Sequence, residues 1–405
     1  MNSASNRRQF LAQAGAGAVL AAGYTATARG FAANETINIG CIGTGGRCRK
    51  LMQSLPNIEG VRVTAVCDIW DEHLRLGKEL ADAKAAATKD YHELLARKDV
   101  DAVIIGAPDH WHVPLTIDAC AAGKDVYVEK PLTHDLSEGQ AVIEAQNKHR
   151  RIVQVGTQQR SMPHIQKARE ILQSGQLGTI HKVHLTWNRN SQRTRNRKPD
   201  IDAKTVDWKR FLGAAPAQSF DPYRFRNWRW FWDFGGGIFT DLMVHWIDVA
   251  HWLLDLDQPQ FAASIGDFNM AQDLWETPDT VQTLLKYPQK NVQAYFEGTF
   301  SNARNGAMIE FMGTEATLYI DRGRHEIHPE RTSKLEYSEM VLGSGPRGAD
   351  FYDKPDGETL HLANWIECIR SRKTPTAPAE AGVSGAAAAH LANLSLRSGS
   401  VAVTK

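Results

Sequence analysis

A short apolar run that ends in clustered glycines constrains this chain more than any other stretch. Ile37-Asn38-Ile39-Gly40-Cys41-Ile42 places apolar side chains at 37, 39, 41 and 42 and runs into Gly43-Thr44-Gly45-Gly46-Arg47-Cys48. Such a run reads as a buried parallel strand closing in a tight turn. Gly43 lets the turn tighten, and Gly45 lets backbone approach a pyrophosphate. The helix that follows, over 47–55, aims its first amides at that anion. Cys48 stands where the fingerprint's third glycine packs helix on strand, so looser packing is expected there. A glycine turn alone is a weak signal, with a plain structural turn as the competing reading. The next strand decides between them. Val61-Arg62-Val63-Thr64-Ala65-Val66-Cys67 ends in Asp68, 25 residues after Gly43, where a carboxylate accepts from an adenosine ribose 2′-hydroxyl. Ile69 and Trp70 follow, with no arginine for a 2′-phosphate, so the dinucleotide expected is NAD in preference to NADP.

Beyond Asp68 the pattern alternates. Helices are predicted over 71–85, 91–96, 113–122 and 136–149, and strands over 100–106, 125–128 and 152–155. This spacing predicts an α/β fold whose first domain, 36–155, is a doubly wound parallel sheet with ligands at the carboxyl ends of its strands. Ala107, Pro108, Trp111, His112, Glu129 and Lys130 lie at such ends. They join Gly43, Thr44, Gly45, Gly46, Arg47 and Asp68 as the expected cofactor-binding set. For Trp111, plain core filling is the competing reading.

The second half changes character. A helix over 164–174 and a strand over 182–187 lead to a basic loop, 189–198, and an aromatic cluster, 228–234. Gly235-Gly236-Gly237 then feeds a helix over 238–254. Strands over 261–268, 280–286, 291–300, 307–311 and 316–320 follow with little helix between them. They predict a second α/β domain, 156–375, with a large, mostly antiparallel, open-faced sheet. Helices over 360–371 and 380–397 are expected to return to the first domain, the segment 376–405 forming the last of them.

At 405 residues, with a formal charge of +1, the chain has room for two domains. It lacks the charge imbalance of a nucleic-acid or membrane-surface binder. Arg7-Arg8-Gln9-Phe10-Leu11, a mildly apolar Gly/Ala-rich stretch and Ala26-Thr27-Ala28 read as a twin-arginine signal peptide, 1–28, with an A-x-A cleavage site. A disordered tail is the alternative. The expected location is the periplasm, reached folded and with cofactor aboard, and no membrane anchor is expected. Five cysteines, an odd count with no spacing rule, read as buried thiols, and no metal site is expected.

Gly43-x-Gly45, Asp68, Pro108-Asp109-His110-Trp111-His112, Glu129-Lys130-Pro131 and Asp241-x-x-x-His245 together resemble the Gfo/Idh/MocA oxidoreductases across the chain beyond its leader. The resemblance implies a Rossmann domain plus an open-faced sheet domain. It also implies hydride transfer between NAD(P) and a sugar or polyol carbon, and a homo-oligomer. The chemistry can be read independently. Asp241 and His245, four apart on a predicted helix, share a face, so the carboxylate would orient the imidazole as a general base. Lys130, at a strand end, would hold the alcohol oxygen or relay its proton. These three are the expected catalytic residues.

His110 and His251 are read as structural. The 228–234 aromatics are read as a subunit seam sooner than as stacking faces for sugars. Arg189, Arg193, Arg195, Arg197 and Lys198 are read as a solvated or oligomer-contacting arm sooner than as a clamp for an acidic sugar. An exported enzyme with no NAD pool around it would keep NAD tightly bound. The expected function is a sugar or polyol oxidoreductase. The alternatives are an NAD-dependent glycosidase working by oxidation, elimination and re-reduction, and a non-catalytic sugar-sensing protein.

Overall fold

The computed structural model describes residues 36–191, 199–343 and 356–404. The twin-arginine segment and Arg193, Arg195, Arg197 and Lys198 lie outside the described residues.

Six parallel strands form the first sheet: β1 (Ile37–Ile42), β2 (Val61–Cys67), β3 (Ala86–Thr88), β4 (Ala102–Ile105), β5 (Asp125–Val128) and β6 (Val153–Val155), in the order β3-β2-β1-β4-β5-β6. Every residue of β4 and β5 is buried, as expected of a sheet covered on both faces. The covering helices are α1 (Gly46–Ser54), α2 (Asp71–Leu80), α3 (Tyr91–Leu95), α4 (His112–Ala121) and α5 (Gly139–His149). The strand order reverses between β1 and β4, so their crossovers diverge and leave a crevice at the carboxyl ends. Helix α2 stops at Leu80, short of the predicted 85, and the alanine-rich residues beyond it yield β3. Pairing of Ala86–Thr88 with Ala65–Cys67 at the sheet edge overrides alanine's helix propensity.

The second half contributes α6 (Pro163–Gln173), β7 (Lys182–Asn188), α7 (Trp208–Leu212) and α8 (Pro222–Arg226). A π-helical turn, Phe239–Met243, then runs directly into α9 (Val244–Leu254). Strands β8 (Phe261–Asp267), β9 (Thr280–Tyr287), β10 (Val292–Thr299), β11 (Ala307–Met312), β12 (Ala316–Asp321), β13 (Arg324–Pro329), β14 (Ser338–Val341) and β15 (Ala402–Val403) complete the set. They join β7 in the order β14-β13-β12-β11-β7-β10-β9-β8-β15, with β7 and β10 parallel and the other pairs antiparallel. Along β9, Val281, Thr283, Leu285 and Tyr287 are buried and alternate with exposed residues, so one face is core and the other is open. Ile265 and Leu284, 65% and 63% exposed, lie on strands of this half.

Helices α10 (Gly357–Ser371) and α11 (Ala379–Ser398) close the chain. Leu362, Trp365 and Ile366 of α10 share a core with Ile39 and Cys41 of β1 and Ile104 of β4. Helix α11 divides its contacts. Ala379 joins the core around β5 and β6, whereas Ala388, Ala389 and Leu391 join the core of the nine-stranded half. No described helix is long and apolar enough to cross a membrane. All five cysteines are buried free thiols.

Candidate active site

The turn after β1 is built for a close approach. Gly43 adopts φ 75°, and a Cβ on it would lie 2.6 Å from the Ala107 backbone nitrogen. Gly45 is the extended N-cap of α1 without a side-chain cap, and a Cβ on Gly46 would meet nothing within 4 Å. The first amides of α1 therefore face an open cleft of about 650 Å³, an anion cradle that fits a dinucleotide's pyrophosphate. Asp68, on the same cleft, has Oδ1 accepting from the Trp70 amide at 2.9 Å. Ala107, Pro108 and Trp111 also line the cleft. Trp111 is pinned there by its Nε1 donating to the Phe211 carbonyl at 2.9 Å.

Three residues show how the cradle is held. Cys48 does not loosen α1, because Gly106 at the end of β4 yields the space. A Cβ on Gly106 would sit 2.7 Å from that of Cys48, which is fully buried. Thr44 does not line the cleft; its hydroxyl turns inward and donates to the His73 carbonyl at 2.8 Å, and its side chain fills the space left by Gly77. Glu129 is likewise committed to protein. Its Oε1 accepts from Arg47 Nε at 2.8 Å and from Gln158 Nε2 at 3.1 Å, while Arg47 also pairs with Glu358 of α10. Thr44 and Glu129 thus brace the cradle through α2 and Arg47, and Glu129 also lines the adjoining chamber.

A second cavity of about 340 Å³ adjoins the cleft, sharing Arg47, Gly106, Ala107, Trp228 and Arg229 with it. Lys130, Asp241 and His245 all reach this chamber. Lys130 Nζ donates to the Asp241 carbonyl at 2.7 Å and to its Oδ1 at 3.0 Å, and Arg229 Nε donates to the same Oδ1 at 3.2 Å. Asp241, on the π-helical turn, holds Lys130 and Arg229, and its charge also reaches His245 on the same chamber. The imidazole of His245 stacks on Trp187, with centroids 5.0 Å apart and planes at 29°. Burial, reinforced by Lys130, holds His245 well below the usual histidine range, so the ring is neutral at physiological pH. His112 spans the floor, with Nδ1 2.6 Å from the Pro131 carbonyl and Nε2 2.8 Å from that of Ala107. Burial pushes its pKa down as well.

The chamber also contains residues that sequence reasoning passed over. Asp109, at the end of β4, is 4% exposed, and burial pushes its carboxyl up to about 8. Gln159, one turn beyond β6, lines the chamber with both amide atoms buried and unpartnered, as does Trp187 with its Nε1. The strand-end rule that singled out Lys130 also points to Asp109 and Gln159. Arg322, between β12 and β13, carries no sequence signal. Arg189, expected on a solvated arm, lines the chamber. The 228–234 aromatics divide: Trp228 walls both cavities, and Trp230 stacks on Trp275 at 4.4 Å inside the core. His110 is structural as expected, with Nε2 2.8 Å from the Phe211 carbonyl.

An anion cradle after the first strand of a reversing parallel sheet, opening on a chamber with a carboxylate-held lysine, defines a dinucleotide-dependent oxidoreductase. Residues 37–157 match the oxidoreductase family described by its NAD-binding Rossmann fold, and residues 169–404 match that family's C-terminal alpha/beta domain. The chain belongs to the Gfo/Idh/MocA oxidoreductase family. It is 25% identical to the scyllo-inositol 2-dehydrogenase (NAD(+)) of Bacillus subtilis over 339 residues, covering 81% of this chain and 83% of the relative. It is 33% identical to a glycosyl hydrolase family 109 protein of Saccharopolyspora erythraea over 129 residues, 30% of this chain and 28% of that one. The myo-inositol 2-dehydrogenase structure from Lactobacillus plantarum shares the fold, with a TM-score of 0.69, 21% identity and coverage of 91% of this chain and 100% of that one.

Proposed function

We propose that this chain oxidises a secondary alcohol of a carbohydrate, passing hydride to an NAD that it retains through turnover. The observation that carries the reading is the hydrogen-bonded set of Lys130, Asp241 and Arg229 where the cofactor cleft opens into the polar chamber. The residues of the cradle, Gly43, Gly45, Gly46 and Asp68, would hold the dinucleotide, and its nicotinamide supplies the hydride acceptor. Lys130 Nζ donates a hydrogen bond to the alcohol oxygen and stabilises negative charge as it develops there. Asp241 and Arg229 hold the ammonium in place. The neutral imidazole of His245 is available to accept the hydroxyl proton. Asp68, with Ile69 and Trp70 after it, favours NAD over NADP. Retention of NAD, twin-arginine export to the periplasm and assembly through the open face of the nine-stranded sheet belong to the same proposal.

The test is the absorbance of purified protein, without added NAD, as candidate sugars and polyols are supplied. A rise in the reduced-nicotinamide band supports the reading, and a protein that neither carries nor takes up an adenine dinucleotide overturns it. A second reading is a redox-neutral glycosidase. It draws on the likeness to the family 109 protein and on Asp109, whose carboxyl is protonated at neutral pH and could supply a departing glycosidic oxygen with a proton. Release of aglycone from glycosides with no net sugar oxidation would favour it.

A further inference from the structure

We propose that the second half of the chain closes the dinucleotide site, and that a hydrogen-bonded seam over residues 205–211 sets how fast the cofactor enters and leaves. The inference rests on the reading that a dinucleotide occupies the cleft. The cradle and Asp68 come from the first half, but Arg210, Phe225, Arg226 and Trp228 line the same cleft. A dinucleotide there would lie between two walls, where the crevice of one parallel sheet offers a single wall. The second wall is fixed from behind. Trp230, 2% exposed, stacks on Trp275, and its carbonyl accepts from the amides of Glu276 at 3.0 Å and Thr277 at 3.2 Å. Arg224 Nη1 donates to Glu276 at 2.7 Å, and Phe225 stands edge-on to Trp70 with centroids 5.5 Å apart.

The seam stitches this wall to the strand ends of the first sheet. Directly after Asp68, the Ile69 carbonyl accepts from the Asp207 amide at 2.9 Å, and Trp70 forms a bridge with Val206. Trp70 Nε1 donates to Thr205 Oγ1 at 3.2 Å. Arg210 reaches past β3, with Nη1 donating to the Lys89 carbonyl and Nη2 to Asp90 Oδ2, both at 2.9 Å. Trp111 Nε1 completes the line on the Phe211 carbonyl at 2.9 Å. Seven residues are thus bonded to the loops after β2, β3 and β4, which frame the cleft. The Arg210 side chain is 44% exposed, so its ion pair is cheap to break and the seam can open without unfolding either half. Local openings of this kind often set the rate of ligand release. The seam is made of protein groups alone, so it slows entry and exit by the same factor and leaves Kd unchanged.

The test measures both directions of exchange. Protein loaded with NADH is mixed with excess NAD, and the loss of bound-NADH fluorescence gives the release rate. Stripped protein mixed with NADH gives the uptake rate. Arg210→Gln should speed release and uptake together by about tenfold, with Kd held within about threefold. Arg210→Lys keeps the charge but not the two-pronged grip, and should fall between parent and Arg210→Gln. Thr205→Val, at a residue that does not line the cleft, should shift both rates in the same direction. Parental rates in Arg210→Gln and Thr205→Val overturn the inference. Faster release with unchanged uptake also overturns it, because the altered groups then act as cofactor contacts and the seam controls nothing. A parent protein that binds no NADH defeats this inference and the dehydrogenase reading together. Sugar oxidation by a protein whose exchange ignores the seam defeats this one alone.

Discussion

Substituting Gly106 with alanine tests whether that residue has taken over the role of the fingerprint's missing third glycine. The new Cβ would lie 2.7 Å from Cys48 Cβ, 3.3 Å from Cys48 Cα and 3.3 Å from the Gly43 carbonyl oxygen. The first distance is well inside van der Waals contact, and the neighbours are backbone or one bond from it, so α1 must shift away from β4. Overpacking of this kind costs about 1–3 kcal/mol. Cys48→Gly alone should also destabilise, by about 1 kcal/mol for glycine in a helix plus the lost burial of the thiol. The double variant Gly106→Ala/Cys48→Gly removes the clashing atom, so the two effects should fall short of their sum by about 1–3 kcal/mol. Gly106→Ala/Cys48→Ala keeps a Cβ at position 48 and should show no such relief. Urea unfolding of the four variants and the parent, read by tryptophan fluorescence, measures the cycle. Additivity within about 0.5 kcal/mol in the glycine double variant would refute the claim that these positions exchange their space.

Lys130→Ala should lower kcat by about 10² to 10⁴ while leaving the dinucleotide content of the purified protein unchanged, and turnover at the parental rate would remove Lys130 from the chemistry. Asp68→Asn should move cofactor preference toward NADP by about tenfold or more, because it removes the charge that repels a 2′-phosphate; fluorescence titration of cofactor-stripped protein reads it. Asp109→Asn should raise stability at neutral pH. The folded pKa of Asp109, about 8, lies above its unfolded value near 3.8, so the parent loses up to about 1.4 kcal/mol per unit as pH rises between them. The variant's advantage in Tm should therefore widen from pH 5 to 8 and level off above, and a uniform loss of stability would contradict the burial argument. The buried histidines act oppositely. Burial holds His110, His164, His361 and His390 at about 4 and His251 at about 3. Their contribution is whole above about 6.5 and is lost as pH falls, by about 2 kcal/mol for each at pH 5. Thermal melts should show a steep fall in Tm from pH 6.5 to 4, and a flat profile would refute this.

Legibility differed by kind of signal. Strands β8 to β12 were expected within one residue of where they lie, because period-2 alternation over a one-sided sheet is a strong pattern. Strand β13 escaped notice because charge masks its alternation. Arg324 and Glu326 pair with each other on one face, while His325 and Ile327 are buried on the other. Strand β15 has two residues, too few for a pattern. At the site, separate motifs pointed to Lys130 and Asp241, and folding brings them within 2.7 Å across 111 residues. Helical periodicity placed Asp241 beside His245, but nothing in Phe239–Met243 announces the π turn or the sharing of Asp241 by Lys130 and Arg229. Gln159 follows a strand end but belongs to no motif, and Arg322 carries no signal at all, so only the fold places it on the chamber wall.

The pairing of Arg47 with Glu358, and of Trp365 with the β1–β4 core, bears on how such a chain comes to hold its cofactor. During synthesis the first 157 residues emerge with a nucleotide crevice that still lacks one of its supporting helices and the second clasp on Arg47. Helix α10, some 200 residues downstream, supplies both. The crevice is therefore complete only once α10 has been made. A fragment cut at the end of the first sheet would be an incomplete receptor, however well its sequence matches a nucleotide-binding module.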